Sequence, residues 1–151
     1  MRNRSMAMIV RNGKILMEEI HFYERAFYTI PGGGIEGDET PEEAALRELK
    51  EECGLDGKIK KKLAEISIRG DETVEYIFEV TIPDDCEPCL GCDPEEPADR
   101  QPIKDVRWVS LDELSEKDRA FLWTYGLLGI DGYFDEILSW GEEISYPSKN
   151  K

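Results

Sequence analysis

Three glutamates fall within five residues of the segment RELKEECGL: Glu48, Glu51 and Glu52. The residues ahead of them read as a helix start. Thr40 suits the N-cap, Pro41 the first helical position, and Glu43 completes a capping box. Gly54 supplies the stop. Successive helical residues turn by about 100°, so Ala45, Leu46, Leu49 and Cys53 share an apolar face. The three glutamates occupy the sector beside that face. Glu48 and Glu52 stack four residues apart and repel by roughly 0.2–0.5 kcal/mol on an exposed helix. Glu51 and Glu52 also sit in the last turn, where the helix dipole favours cations. Arg47 and Lys50 offset part of this. A hard divalent cation such as Mg²⁺, which takes oxygen ligands and keeps several waters, would resolve the rest. A solvated acidic helix is the plainer reading of the same residue types.

The elements around this helix read as strands. MAMIV and KILME flank Arg11-Asn12-Gly13, an Asn-Gly hairpin signal. AFYTI ends the aromatic stretch from His21 to Ile30. Pro31-Gly32-Gly33-Gly34 reads as a loop, because neither helix nor strand favours that run. Its bare backbone would let ions or phosphates approach. IKKKLAEISI and TVEYIFEVTI read as paired strands turning at Gly70-Asp71. Residues 83–104 carry five prolines and many acids and read as a long irregular loop. DVRWVSL returns to strand, Ser110 or Asp112 caps a short helix near Leu111, and a further helix is expected over Asp118 to Leu128. Strands on both sides of a central helix indicate an α/β chain with a mixed sheet, organised as one domain over residues 1–151.

The spacing from Gly33 to Leu55 resembles the Nudix box, G-x5-E-x7-R-E-U-x-E-E-x-G-U with U aliphatic. Gly33, Glu39, Arg47, Glu48, Leu49, Glu51, Glu52, Gly54 and Leu55 fill every fixed position. Asp38 stands where family members commonly carry glycine, outside the defining pattern. The resemblance implies a three-layer α/β/α sandwich with a mixed sheet. It also implies Mg²⁺-dependent hydrolysis of a nucleoside diphosphate linked to another group, with Mn²⁺ as an alternative metal. It assigns metal ligation to Glu48, Glu51, Glu52 and the backbone carbonyl of Gly32, with Glu52 among the most critical. Arg47 would orient the glutamates by pairing with Glu39. The chemistry expected is metal-assisted attack of water on phosphorus, with a carboxylate taking the proton. The proton acceptor would be a box glutamate or an acid of the long loop, with Glu95, Glu96 and Asp99 as candidates.

Other residues leave several readings open. Cys86, Cys89 and Cys92 form CEPCLGC; zinc would need Cys53 or His21 as a fourth ligand, and free thiols in a loop are the simpler alternative. Phe22, Tyr23, Phe27 and Tyr28 could stack on a base or fill the core. Trp108 reads as core, while Trp123, Tyr125 and Trp140 suit either core or a dimer surface. At the usual offset past the box lie Gly70, Asp71, Glu72 and Thr73. They offer neither the proline associated with ADP-ribose hydrolases nor the tyrosine associated with dinucleoside polyphosphate hydrolases. The upstream pattern of coenzyme A hydrolases is also absent. Nucleoside triphosphates and nucleotide sugars remain.

Net charge and composition bound the partners. A charge of −15 disfavours a nucleic-acid polymer. No apolar run approaches a membrane span and no signal peptide is evident, so a cytoplasmic location is expected. A small nucleotide is the expected partner, and homodimerisation is an expectation for the family. Two readings compete with the hydrolase: a catalytically silent Nudix module that senses a nucleotide or binds protein, and a zinc-dependent interaction protein organised by the cysteine loop.

Overall fold

A computed structural model describes residues 3–22, 24–67, 70, 72–89 and 103–130. Among the described residues, two sheets carry eight strands. The first has β1 (Arg4–Met8) at its centre, β5 (Gly32–Gly34) antiparallel on one side and β7 (Val74–Thr81) parallel on the other, with β6 (Lys58–Ser67) beyond β7. The second joins β2 (Val10–Arg11), β3 (Lys14–Phe22) and β4 (Arg25–Thr29), with β8 (Ile103–Val109) also paired to β3. The mixture of parallel and antiparallel pairs is the mixed sheet that the sequence indicated.

Alternation along the strands builds two cores on opposite faces. Met6 and Met8 of β1, Ile15 and Met17 of β3 and Ile77 of β7 pack with Leu122 of helix α2 (Glu116–Thr124) and with Leu111 and Leu127. Their neighbours Ala7, Ile9, Leu16, Phe78 and Val80 pack with Ala45, Leu49 and Cys53 of helix α1 (Pro41–Cys53). Period-two strands buried on both sides require a helix on each face. The result is the expected α/β/α sandwich.

Local chemistry fixes the elements closest to α1. Asn12 and Gly13 both take positive φ, 53° and 74°, in the two-residue turn between β2 and β3. Thr40 accepts from the Glu43 N–H and the Glu43 carboxylate accepts from the Thr40 N–H, closing the capping box. Gly54 ends the helix at φ 70° and donates to the Lys50 carbonyl. The buried Ser5 hydroxyl donates to the Pro41 carbonyl at 2.5 Å, which pins the start of α1 to β1.

Two sequence expectations need correction. The glycine run is not a loop: Gly32, Gly33 and Gly34 pair with Met6, Ser5 and Arg4 as a short strand. Glycine is there because of crowding. A Cβ on Gly32 would lie 2.5 Å from the Ser5 carbonyl oxygen, and one on Gly33 would lie 2.5 Å from the Glu48 carboxylate. The helix expected over Asp118 to Leu128 spans Glu116–Thr124. Gly126, at φ 90° and packed against the Leu63 backbone, breaks it, and a 3-10 turn follows over Leu127–Gly129. The short helix after β8 is a 3-10 turn, Leu111–Glu113, whose Glu113 carboxylate accepts from the Ser110 N–H.

Glu95, Glu96, Asp99, Cys92, Tyr23, Asp71 and Trp140 lie outside the described residues, as does the Phe22 side chain. Among the described residues no helix is long and apolar enough to cross a membrane. Thr40→Ala should cost about 1 kcal/mol by removing the cap. Urea denaturation should show a lowered midpoint at unchanged slope; an unmoved midpoint would mean that the cap does not hold α1 in place.

Candidate active site

The capped α1 lies against β1, β5, β6 and β7 and carries the glutamates to the edge of its buried face. Glu52 leads back to the glycine strand: its Oε1 accepts from the Gly32 N–H at 3.0 Å. Glu48 lies against Gly33, where only hydrogen leaves room for its carboxylate. Glu51 points outwards, with 44% of its side chain exposed. The helix thus divides its three box glutamates into two that face the sheet and one that faces solvent.

Arg47 organises this group. Its Nε and Nη2 grip the Glu39 carboxylate at 2.6 and 3.1 Å. Its Nη1 reaches Glu48 at 3.0 Å and Glu51 at 3.2 Å, and Nη2 also donates to the Gly34 carbonyl at 3.0 Å. One planar fork therefore ties the segment after β5 to two box glutamates, a geometry that lysine lacks. The bond to Arg47 holds the Glu39 carboxyl below the usual range.

Sequence reasoning missed Glu18. It sits on β3 with 2% exposure, hydrogen-bonds Glu52, and lies 3.9 Å from the Cys53 sulfur. The signal was present. Alternation in KILMEE places residue 18 with Leu16 on the face beneath α1, where an acid is out of pattern.

The acids are desolvated beyond what their partners offset. Burial raises the Glu52 carboxyl well above its usual range, reinforced by the bond and charge of Glu18 and the charge of Glu48 and opposed by the Gly32 N–H. Burial likewise raises Glu18 and Glu48, the latter despite Arg47. Burial and the same carboxylates push the Cys53 thiol upwards, which makes it a poor nucleophile or metal ligand.

Oxygen-only donors with excess negative charge fit a hard divalent cation rather than zinc. Glu48, Glu52 and Gly32 are adjacent in this site, and Glu51 reaches it only by leaving Arg47. Among the described residues no three His, Cys, Asp or Glu side chains already converge on one point. That holds for the cysteine loop as well: the Cys89 N–H donates to the Cys53 carbonyl at 2.9 Å, while Cys86 is half-buried and Cys89 exposed. His21 pairs with Glu19 at 2.5 Å on β3. Tyr28 is half-buried against the α2 core, and among the described residues Phe27 is the large apolar residue left exposed, at 42%.

The profile of the NUDIX domain matches residues 1–127. The chain belongs to the Nudix family. A Nudix hydrolase structure from Nitrosomonas europaea superposes with a TM-score of 0.63 at 21% identity, covering 78% of this chain and 61% of that one. A Nudix-family hydrolase from Clostridium perfringens gives 0.62 at 21% identity, covering 84% and 97%. These likenesses establish the Nudix fold. An 8-oxo-dGTP diphosphatase of Proteus vulgaris is 60% identical over 30 residues, 20% of this chain and 27% of its own. Nudix hydrolase 4 of Arabidopsis thaliana is 36% identical over 90 residues, 57% and 39% of the two chains. The matches span 18% to 39% of the curated relatives' own lengths.

The acid cluster has a pH signature. Unfolded, Glu18, Glu48 and Glu52 titrate near 4.5; folded and metal-free, each keeps its proton to higher pH. The native state then binds more protons than the unfolded state above pH 4.5, so stability falls as pH rises from there. Metal-free protein should melt lower at about pH 8 than at about pH 5.5, and Glu18→Gln should flatten that dependence. Identical slopes in the two proteins would show that Glu18 is not part of a repelling cluster.

Proposed function

We propose that this Nudix protein is a Mg²⁺-dependent pyrophosphohydrolase acting, as one domain, on a nucleoside diphosphate linked to another group. A nucleoside triphosphate or a nucleotide sugar is the favoured substrate. The observation that carries this reading is the desolvated carboxylate pair, Glu48 and Glu52, set against Gly32 and Gly33. Buried like charges at one place are costly, and a fold retains them where a cation completes them.

Glu52, Glu48, Glu51 and the Gly32 carbonyl would hold the metal, with Mn²⁺ able to replace Mg²⁺. Bound there, the metal would neutralise the diphosphate and activate water. Arg47 fixes the Glu48 carboxylate and releases or retains Glu51 according to what that group binds. Gly33 leaves the space in which Glu48 lies. Attack of water on phosphorus breaks the phosphoanhydride bond, and a carboxylate takes the proton. Among the described acids of the box, the solvent-facing Glu51 is best placed for that. The 8-oxo-dGTP diphosphatase of Proteus vulgaris, similar over 30 residues, supports the triphosphate reading. Unpaired thiols at Cys53, Cys86 and Cys89 suit a reducing cytoplasm.

The test is phosphate and pyrophosphate release, with Mg²⁺, from nucleoside triphosphates, oxidised triphosphates, nucleotide sugars, ADP-ribose and dinucleoside polyphosphates. Activity should require Mg²⁺ and fall by at least about 100-fold in Glu52→Gln. Nucleotide binding without turnover, unchanged in that variant, would replace the hydrolase by a sensor.

A further inference from the structure

The segment that follows β7 carries thiols that the site above does not use. It is fastened to the rest of the protein at two places. Near its start Arg11 of β2 donates from Nη2 to the Pro83 carbonyl at 2.9 Å and from Nη1 to Glu87 at 2.8 Å. The same guanidinium lies over the Trp108 ring, 4.7 Å from its centroid. The Cys86 N–H donates to the Pro83 carbonyl at 3.1 Å, which turns the chain, and the Cys86 side chain packs on the α1 core. At the second place the Cys89 N–H donates to the Cys53 carbonyl at 2.9 Å. Carbonyls in the last turn of a helix lack helical partners, so this bond satisfies one at the end of α1.

Two cysteines 36 residues apart in the chain thereby become neighbours. An N–H···O bond of this kind holds the two Cα atoms roughly 5–6 Å apart. A disulfide spans Cα separations of about 4.4–6.8 Å. The Cys89 sulfur is turned towards the helix end: a Cβ on Gly54, the residue after Cys53, would come within 2.7 Å of it. Gly54 therefore serves twice, through its φ of 70° and through the room it leaves for that sulfur.

Exposure divides the roles of the two thiols. Cys89 is exposed and Cys53 fully buried, so Cys89 meets an oxidant first. With a low-molecular-weight disulfide as oxidant, the Cys89 thiolate attacks one of its sulfurs. The small disulfide breaks, one thiolate leaves, and Cys89 is held in a mixed disulfide. Cys53 then gives up its proton to solvent and attacks the Cys89 sulfur, expelling the second small thiolate. Two protein thiols have lost two electrons and two protons, and the oxidant has become two thiols. Nearness compensates for the poor ionisation of Cys53.

We propose that Cys53 and Cys89 are an oxidant-sensitive thiol pair, whose disulfide fastens the segment after β7 to the end of the helix that carries Glu52. This holds whether or not the glutamates hydrolyse a nucleotide.

The test equilibrates the full chain with oxidised and reduced glutathione, blocks free thiols with N-ethylmaleimide, and digests with trypsin. Cleavage after Lys50 and Lys58 isolates Cys53, and cleavage after Arg69 and Arg100 isolates Cys86, Cys89 and Cys92 together. Mass spectrometry should find the two peptides linked in the wild type, in Cys86→Ser and in Cys92→Ser, and separated by dithiothreitol. The link should be lost in Cys89→Ser. In concentrated urea, at the same glutathione ratio, it should be at least about tenfold less populated, because folding supplies the nearness. Oxidation should raise the melting temperature of the wild type by at least about 3 °C, and should not do so in Cys89→Ser. Absence of the linked peptides, a link retained in Cys89→Ser, or a link that depends on Cys86 or Cys92 would overturn the pair. So would equal linkage in folded and unfolded protein. A melting temperature unmoved by oxidation would show that the bond fastens nothing.

Discussion

The structure depends on one crowded contact, that of α1 with the glycine strand. The Gly32 N–H reaches Glu52, and the Glu48 carboxylate occupies the space that a side chain on Gly33 would fill. Neither contact survives a larger residue at those positions, because a Cβ would come within 2.5 Å of its neighbours. Gly32 and Gly33 are therefore glycines for a reason of volume. Its pairing with β1 and the Ser5 bond to the Pro41 carbonyl set how closely α1 approaches.

That closeness creates an electrostatic problem. Glu18 from β3 meets Glu52 from below and desolvates with it, while Glu48 adds its charge. Arg47 cannot neutralise all of them, since its fork is largely committed to Glu39 and the Gly34 carbonyl. The arginine acts as a strut between the segment after β5 and the helix, and the inward carboxylates are left with surplus charge. A divalent cation would meet that surplus with the oxygen donors present. The same contacts that hold the helix against the sheet also make the metal-free state less stable.

Much of this was legible in the chain. Thr40, Pro41 and Glu43 announced the helix and Asn12-Gly13 the turn, because each rests on local geometry, and the spacing from Gly33 to Leu55 pointed to the Nudix family. What escaped depends on distant neighbours. Glycine runs favour loops by propensity; pairing with β1 makes Gly32–Gly34 a strand, and the crowding of Ser5, Met6 and Glu48 shows why Gly32 and Gly33 carry no side chain. Gly126 ends α2 early through its contact with Leu63, which lies far off in sequence. Glu18 was visible as an acid out of phase, but its meaning required Glu52 above it.

Mn²⁺ binding tests the central claim most directly, because it asks about the cluster without depending on which substrate is turned over. Free Mn²⁺ can be followed by electron paramagnetic resonance as metal-free protein is titrated near pH 8. Saturable binding that raises the melting temperature in the wild type and is largely lost in Glu52→Gln is the expected result. Binding of equal strength in both proteins, or none in either, would contradict a site built to be completed by a divalent cation.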